Sequence, residues 1–106
     1  ILPDQVPARG NGVMANFMGR EALTGTLSSR LLQKTEARAC LATAVRVSGG
    51  FEVWLDVLED AVYDPDSAVA ANAINAAIEL AIARAPAQYQ WEYKRFRIPG
   101  GPDIYD

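Results

Sequence analysis

A polar pair near the start of the sequence lies where functional groups often gather. Asp4 and Gln5 follow the apolar residues Ile1 and Leu2, at a point where a strand would end and a loop would begin. In open α/β sheets, ligands bind outside the carboxyl ends of the strands. The pair is therefore a candidate binding site, and the alternative is a simple turn formed by Asp4 beside Pro3.

An arginine close to a predicted helix start is a second candidate. Arg20 follows Gly19 and precedes Thr24 and Thr26, either of which can cap the next helix. A helix N-terminus together with a guanidinium can bind an anion such as a phosphate or a carboxylate. The alternative is a solvated Arg20 paired with Glu21.

The most informative absence is histidine, the commonest general base in enzymes. None occurs among the 106 residues. If the chain belongs to an enzyme, its base is a different residue type or lies outside this sequence.

Composition excludes several other classes of protein. The net charge of −3 argues against a nucleic-acid partner. The acidic residues between Asp56 and Asp66 lack the spacing of a calcium loop, so no metal site and no cofactor are predicted. No apolar run approaches the ~18 to 20 residues of a membrane span. The single cysteine, Cys40, lies in an apolar run and is predicted to be a buried, inert thiol.

The segment PAQYQWEYKRF near the C-terminus interleaves aromatic and charged residues. Trp91, Tyr93, Lys94 and Arg95 suit a membrane–water interface, where rings lie at headgroup depth and cations approach lipid phosphates. The alternative is a short C-terminal helix that buries Trp91 and Phe96 and leaves its cations in water.

The pattern along the chain predicts an α/β fold. Glycine and proline punctuate residues 1–24, which are predicted to be a loop or a loop with one short strand. Residues 25–35 are predicted to form a helix, two strands are predicted on either side of the turn at residues 48–50, and a long helix is predicted over residues 66–85. A lone two-stranded hairpin is marginal in water, so the sheet is expected to continue into upstream sequence or a partner chain.

The long predicted helix has two chemically different sides. Its apolar residues recur at helical spacing, and its alanines indicate close packing against a sheet or another helix. Asn72, Asn75 and Glu79 are predicted to lie on the other side.

Several segments, taken in order, resemble the lipid A late acyltransferases, the lauroyl and myristoyl transferases of the lysophospholipid acyltransferase superfamily. The resemblance rests on LPDQVPARGNGVMANFMGREALTGTLSSRLLQKTEA, on the apolar strand that follows, and on QYQWEYKRFR after a proline. The Asp-Gln, Phe-x-Gly-Arg and Tyr-x-Trp-x-x-x-Arg-Phe elements occur in the family's order. The similarity runs from Ile1 to about Arg97.

The resemblance implies a definite reaction. Such enzymes move a fatty acyl chain from acyl carrier protein, or sometimes from coenzyme A, to a hydroxyl of a phosphorylated glycolipid, the lipid A precursor of lipopolysaccharide. They act at the cytoplasmic face of the bacterial inner membrane. By resemblance, the acceptor side of the cleft would be lined by Asp4, Gln5, Phe17, Gly19, Arg20 and Thr24.

The family's catalytic base is a histidine in His-x-x-x-x-Asp/Glu, and this sequence lacks it. The resemblance therefore implies the C-terminal half of a mixed-sheet acyltransferase α/β domain, inactive by itself and soluble without the family's N-terminal membrane anchor. Residues 1–97 would belong to that domain and residues 98–106 would be a loosely ordered tail. The alternative function is a non-catalytic α/β module that binds a partner or a lipid.

Overall fold

The computed structural model describes residues 1–105, which form two antiparallel β-hairpins and two α-helices. The α/β class predicted from the sequence is confirmed. In chain order, the elements are β1 (Gly12–Phe17), β2 (Arg20–Gly25), α1 (Leu27–Lys34), β3 (Cys40–Val47), β4 (Gly50–Val57) and α2 (Ser67–Arg84), with short 3-10 turns at Asp60–Tyr63 and Pro86–Gln88.

The first hairpin, β1 and β2, lies within the segment predicted to be mainly loop. Phe17 pairs directly with Arg20, so only Met18 and Gly19 form the connecting turn. Both have a positive φ, 52° and 76°, as a type I′ hairpin turn requires. Glycine adopts this conformation without strain, whereas Met18 adopts it at a cost.

The second hairpin, β3 and β4, confirms the prediction of two strands around a glycine-rich turn. Val47 pairs with Gly50, and Gly49 has the positive φ that the turn needs. One face of this hairpin is apolar and uncovered among the described residues. Its β4 side chains Phe51 and Val57 are 68% and 83% exposed. Cys40 lies on the same face and is exposed, so the prediction of a buried thiol is wrong.

Helix α2 follows the predicted bounds closely. Asp66 caps it, because its side chain accepts a hydrogen bond from the Ala68 N–H, and the chain reaches Pro86 soon after the last turn. Helix α1 is also confirmed, although its exposed face carries Leu27 and Leu31 while Ser29 is buried.

The core lies between α2 and the first hairpin. Its buried members are Phe17, Ala22, Val62, Ile74, Ile78 and Ile82. Removing these apolar side chains from water is the main favourable term that holds the two layers together.

The polar side of α2 also contacts the first hairpin, contrary to the prediction that it lies on the side away from the packing. Asn16 of β1 donates its N–H to Asn72 Oδ1 at 2.8 Å and accepts from Asn75 Nδ2 at 2.9 Å. The Met18 N–H donates to Glu79 Oε1 at 2.7 Å. These side chains bond backbone groups of β1 and of its turn that β2 does not pair.

A polar side chain also bonds backbone groups on part of the edge of β3. Gln88 accepts from the Arg46 N–H at 2.7 Å and donates to the Arg46 carbonyl at 3.0 Å. Since backbone groups alternate in direction along an antiparallel strand, those of Ala42 and Ala44 also point away from β4. This part of the edge borders an open groove of about 650 Å³, whose walls come mainly from α1, β3, α2 and residues 1–4.

The chain after α2 is not a continuous helix. Pro86–Gln88 forms one 3-10 turn, and the following residues run as successive turns across the N-terminal loop and the first hairpin. The Val6 N–H donates to the Tyr93 hydroxyl at 2.7 Å, and the Phe96 N–H donates to the Tyr105 hydroxyl at 2.7 Å. The aromatic segment therefore fastens the N-terminal loop, and residues near the C-terminus fold back onto it.

Candidate functional site

The turn between β1 and β2 presents an exposed cation. Gly19 and Arg20 are exposed at its tip. Within the described residues 1–105, the Arg20 side chain makes no hydrogen bond or ion pair, and its Cζ lies 5.8 Å from the centre of the Phe96 ring. A guanidinium has five N–H donors, and an aromatic face engages none of them. Arg20 is therefore free to bind an anion from solvent.

The structure does not place Arg20 beside a helix N-terminus. Arg20 begins β2 and Gly25 ends it, and α1 starts only at Leu27. Five residue steps along a strand cover roughly 17 Å. The Thr26 side chain also makes no capping hydrogen bond and donates instead to the Asn11 carbonyl at 3.4 Å. The joint anion site that the sequence suggested is therefore not assembled in this arrangement.

Phe17 and Thr24 support the turn from inside. Their exposed fractions are 2% and 1%, so neither side chain can reach a substrate in this structure. The Thr24 hydroxyl donates to the Ala22 carbonyl at 3.2 Å and accepts from Asn75 and Arg95, each at 2.9 Å.

The position of Arg95 differs most from the sequence-based prediction, which placed this residue at a membrane surface. Its exposed fraction is 3%, and its guanidinium donates to the Leu23 carbonyl at 2.7 Å and to Thr24 Oγ1 at 2.9 Å. It also lies 5.1 Å from the Phe17 ring. Burial lowers the pKa of Arg95, although the nearby Tyr89 and Asp4 partly oppose this effect. Arg95 is therefore not part of a surface that could meet lipid.

Asn75 completes a buried polar cluster with Thr24 and Arg95, and its exposed fraction is 0%. Its Nδ2 donates to both Asn16 and Thr24, and its Oδ1 lies 3.5 Å from Arg95 Nη2. The cluster joins β1, β2, α2 and the C-terminal segment. One sequence signal could have revealed it, since Asn75 lies four residues after Ala71 and three before Ile78 and so shares a helix face with apolar residues.

Asp4 and Gln5 occupy the N-terminal loop and are both half-buried. Asp4 borders the apolar groove together with Tyr89. Burial, followed by the Asp4 carboxylate, raises the pKa of Tyr89. Among the described residues, no hydrogen bond or ion pair joins this loop pair to Gly19 or Arg20. The structure therefore shows two separate candidate regions, the Arg20 turn and the Asp4 side of the groove.

The remaining membrane-interface candidates differ in exposure. Trp91 is 58% exposed, and its Nε1 donates to the Pro86 carbonyl at 2.7 Å. Tyr93 is half-buried, and Lys94 lies 3.7 Å from Asp103. No helix among residues 1–105 combines the length and the apolar character needed to cross a bilayer. In the same residues, no three side chains of metal-binding type are grouped closely enough to hold an ion.

The architecture defines an α/β protein that has an arginine-bearing hairpin turn, supported by buried side chains, and a separate apolar groove. The family model of the bacterial lipid A biosynthesis acyltransferases matches residues 1–98, so the chain belongs to that family. This confirms the expected acyltransferase role in lipid A synthesis. A sequence search among curated proteins returned no match.

Proposed function

We propose that this chain forms the acceptor side of an O-acyltransferase of lipopolysaccharide biosynthesis. The enzyme would move a lauroyl or myristoyl group from acyl carrier protein or acyl-CoA to a hydroxyl of a phosphorylated glycolipid. The observation that carries the proposal is Arg20, an exposed guanidinium with free donors on a rigidly supported turn of a lipid A acyltransferase. Arginine binds phosphate oxygens in a bidentate manner, so Arg20 would hold a phosphate of the acceptor.

The catalytic base would come from residues outside these 106. Attack of a hydroxyl on a thioester needs a base to remove the hydroxyl proton and a donor to stabilise the developing oxyanion. The chain contains no histidine, and the family's His-x-x-x-x-Asp/Glu motif is absent. The free edge of β3 and the uncovered face of the second hairpin support this proposal, because both are surfaces on which further protein could pack.

The enzyme would work at the cytoplasmic face of the bacterial inner membrane. Support comes from Trp91, whose ring is largely exposed, with Lys94 exposed on the same segment. Exposed tryptophan beside lysine is typical of the headgroup region of a bilayer. Residues Asp4 and Gln5 are proposed to border the acceptor cleft, while Phe17, Gly19 and Thr24 would shape and support the turn.

Acyl-transfer kinetics test the proposal. The full-length protein that carries this sequence should transfer an acyl group from a thioester to the phosphorylated glycolipid, and the 106-residue chain alone should not. Arg20→Ala should lower kcat/KM for the acceptor roughly 10- to 100-fold, since hydrogen bonds to charged groups contribute about 1.5 to 3 kcal/mol.

Arg30, an exposed arginine of α1, provides the matched control. Arg30→Ala removes the same charge outside the turn and should leave acceptor kinetics unchanged. Equal losses for Arg20→Ala and Arg30→Ala would mean that net charge, and not the turn, governs acceptor use. Transfer by the isolated chain would refute the assignment of the base to other residues.

A non-catalytic lipid- or partner-binding module is the second candidate function. The observation that favours it is the apolar groove of about 650 Å³ beside β3. If the full-length protein bound the glycolipid but transferred no acyl group from either donor, this second function would be preferred.

A further inference from the structure

Four side chains stack in series across the first hairpin and the C-terminal segment. Arg20 lies 5.8 Å from the centre of the Phe96 ring, and the Phe96 ring lies 6.0 Å from that of Phe17. At the other end of the series, Arg95 lies 5.1 Å from the centre of the Phe17 ring. Two cations thus enclose two aromatic rings, and both outer contacts involve adjacent residues of the C-terminal segment.

The inner end of this stack is fixed. Phe17 and Arg95 are 2% and 3% exposed, and Arg95 is hydrogen-bonded to Leu23 and Thr24 of β2. Phe96 is half-buried against the core, and its N–H is bonded to the Tyr105 hydroxyl. The Phe96 ring therefore cannot move far without disturbing buried contacts.

The outer end of the stack is the exposed Arg20. A free arginine side chain has about 2 kcal/mol of rotamer entropy to lose when it is immobilised on a ligand. Contact with a ring face restricts it before binding. A carboxylate partner would restrict it too, but would occupy the N–H donors that a phosphate needs.

We infer that Phe96 is a positioning residue that holds Arg20 in a phosphate-binding orientation. The inference rests on the proposed function, because it assigns to Phe96 the orientation of the residue that would bind the acceptor. The inference also gives a physical reason for the adjacent Arg95 and Phe96 in the C-terminal segment. Arg95 is hydrogen-bonded to β2, and Phe96 supports the turn that precedes β2.

Kinetics of the full-length enzyme test this role. Phe96→Leu keeps an apolar side chain of similar size but removes the aromatic face. It should raise KM for the phosphorylated acceptor about two- to fivefold, the range expected for an exposed cation–π contact, without changing kcat or KM for the thioester donor. Phe96→Tyr, which keeps the ring, should retain the wild-type KM for the acceptor.

A double-mutant comparison separates positioning from a general effect on folding. In the Arg20→Ala background, Phe96→Leu should cause no further rise in KM. If the two effects multiply instead, Phe96 acts independently of Arg20 and the inference is overturned. Phe96→Met provides a second variant without a π face if Phe96→Leu does not fold.

Trp54 provides a matched control, because its ring lies 5.0 Å from Arg84 in a comparable pair between the second hairpin and α2. Trp54→Leu should leave acceptor KM unchanged, and a rise equal to that of Phe96→Leu would overturn the inference. If Arg20→Ala raises acceptor KM and neither Phe96→Leu nor Phe96→Met does, the inference fails while the proposed function stands. If Arg20→Ala itself has no effect, the proposed role of Arg20 fails and the inference fails with it.

Discussion

Replacing the buried Asn75 by alanine should destabilise the protein far more than the same change one turn earlier on α2. Asn75 is fully buried and donates two hydrogen bonds of 2.9 Å, to Asn16 and Thr24. Asn72 is exposed and accepts one bond from the Asn16 N–H. Both changes occur in the middle of one helix, so they share the same gain in helix propensity.

The magnitudes follow from these contacts. Loss of two buried hydrogen bonds, with the Asn16 carbonyl left unsatisfied, costs about 2 to 3 kcal/mol. Alanine returns about 0.6 kcal/mol through its higher helix propensity. Asn75→Ala should therefore lower the free energy of unfolding by about 2 kcal/mol. At Asn72, water replaces the lost bond, and the net change should be close to zero.

Thermal unfolding followed by circular dichroism measures the difference. For a domain of this size, about 2 kcal/mol corresponds to a fall in Tm of roughly 8 to 16 °C. Asn72→Ala should shift Tm by less than about 3 °C. Equal shifts for the two variants would refute the conclusion that the buried polar cluster holds the first hairpin on α2.

Two further predictions concern the turn and the exposed aromatic segment. Met18→Asn should raise the free energy of unfolding by about 0.5 to 1 kcal/mol, because asparagine adopts a positive φ more readily than methionine; an unchanged urea midpoint would show that Met18 is not strained. Trp91→Ala should reduce the fraction of the chain that co-floats with anionic phospholipid vesicles, whereas Trp54→Ala, which alters a half-buried ring beside Arg84, should not. Equal flotation of the wild type and both variants would remove Trp91 from the proposed membrane interface.

The sequence predicted secondary structure best where apolar residues recurred at one regular spacing over a long segment. The apolar stripe of α2 and the alternation around Ser48–Gly50 each had a single simple interpretation, and both predictions are confirmed. The first hairpin was harder to predict, because Gly10, Gly12 and Gly19 suggested a loop. The sequence nevertheless contains an alternation that matches this strand, because the apolar Ala15 and Phe17 are buried and the polar Asn16 between them is exposed.

The candidate site was only partly predictable for a different physical reason. Whether Arg20 or Arg95 is buried depends on contacts between segments more than 70 residues apart, and no local pattern encodes them. Both arginines lie within the residues that match the family model, yet Arg20 is exposed and Arg95 is a buried support. The sequence pattern predicted that the asparagines of α2 lie on the side away from the packing. They instead bond the backbone of Asn16, because the unpaired edge of β1 needs polar partners that apolar side chains cannot provide.

Arg20 is proposed to recognise a phosphate of the acceptor glycolipid. The most direct measurement compares kcat/KM for the phosphorylated acceptor with that for the acceptor lacking the phosphate, in the full-length wild-type enzyme and in its Arg20→Ala variant. The wild type should prefer the phosphorylated acceptor roughly 10- to 100-fold, and Arg20→Ala should lose most of this preference. Retention of the full preference in Arg20→Ala would contradict the claim.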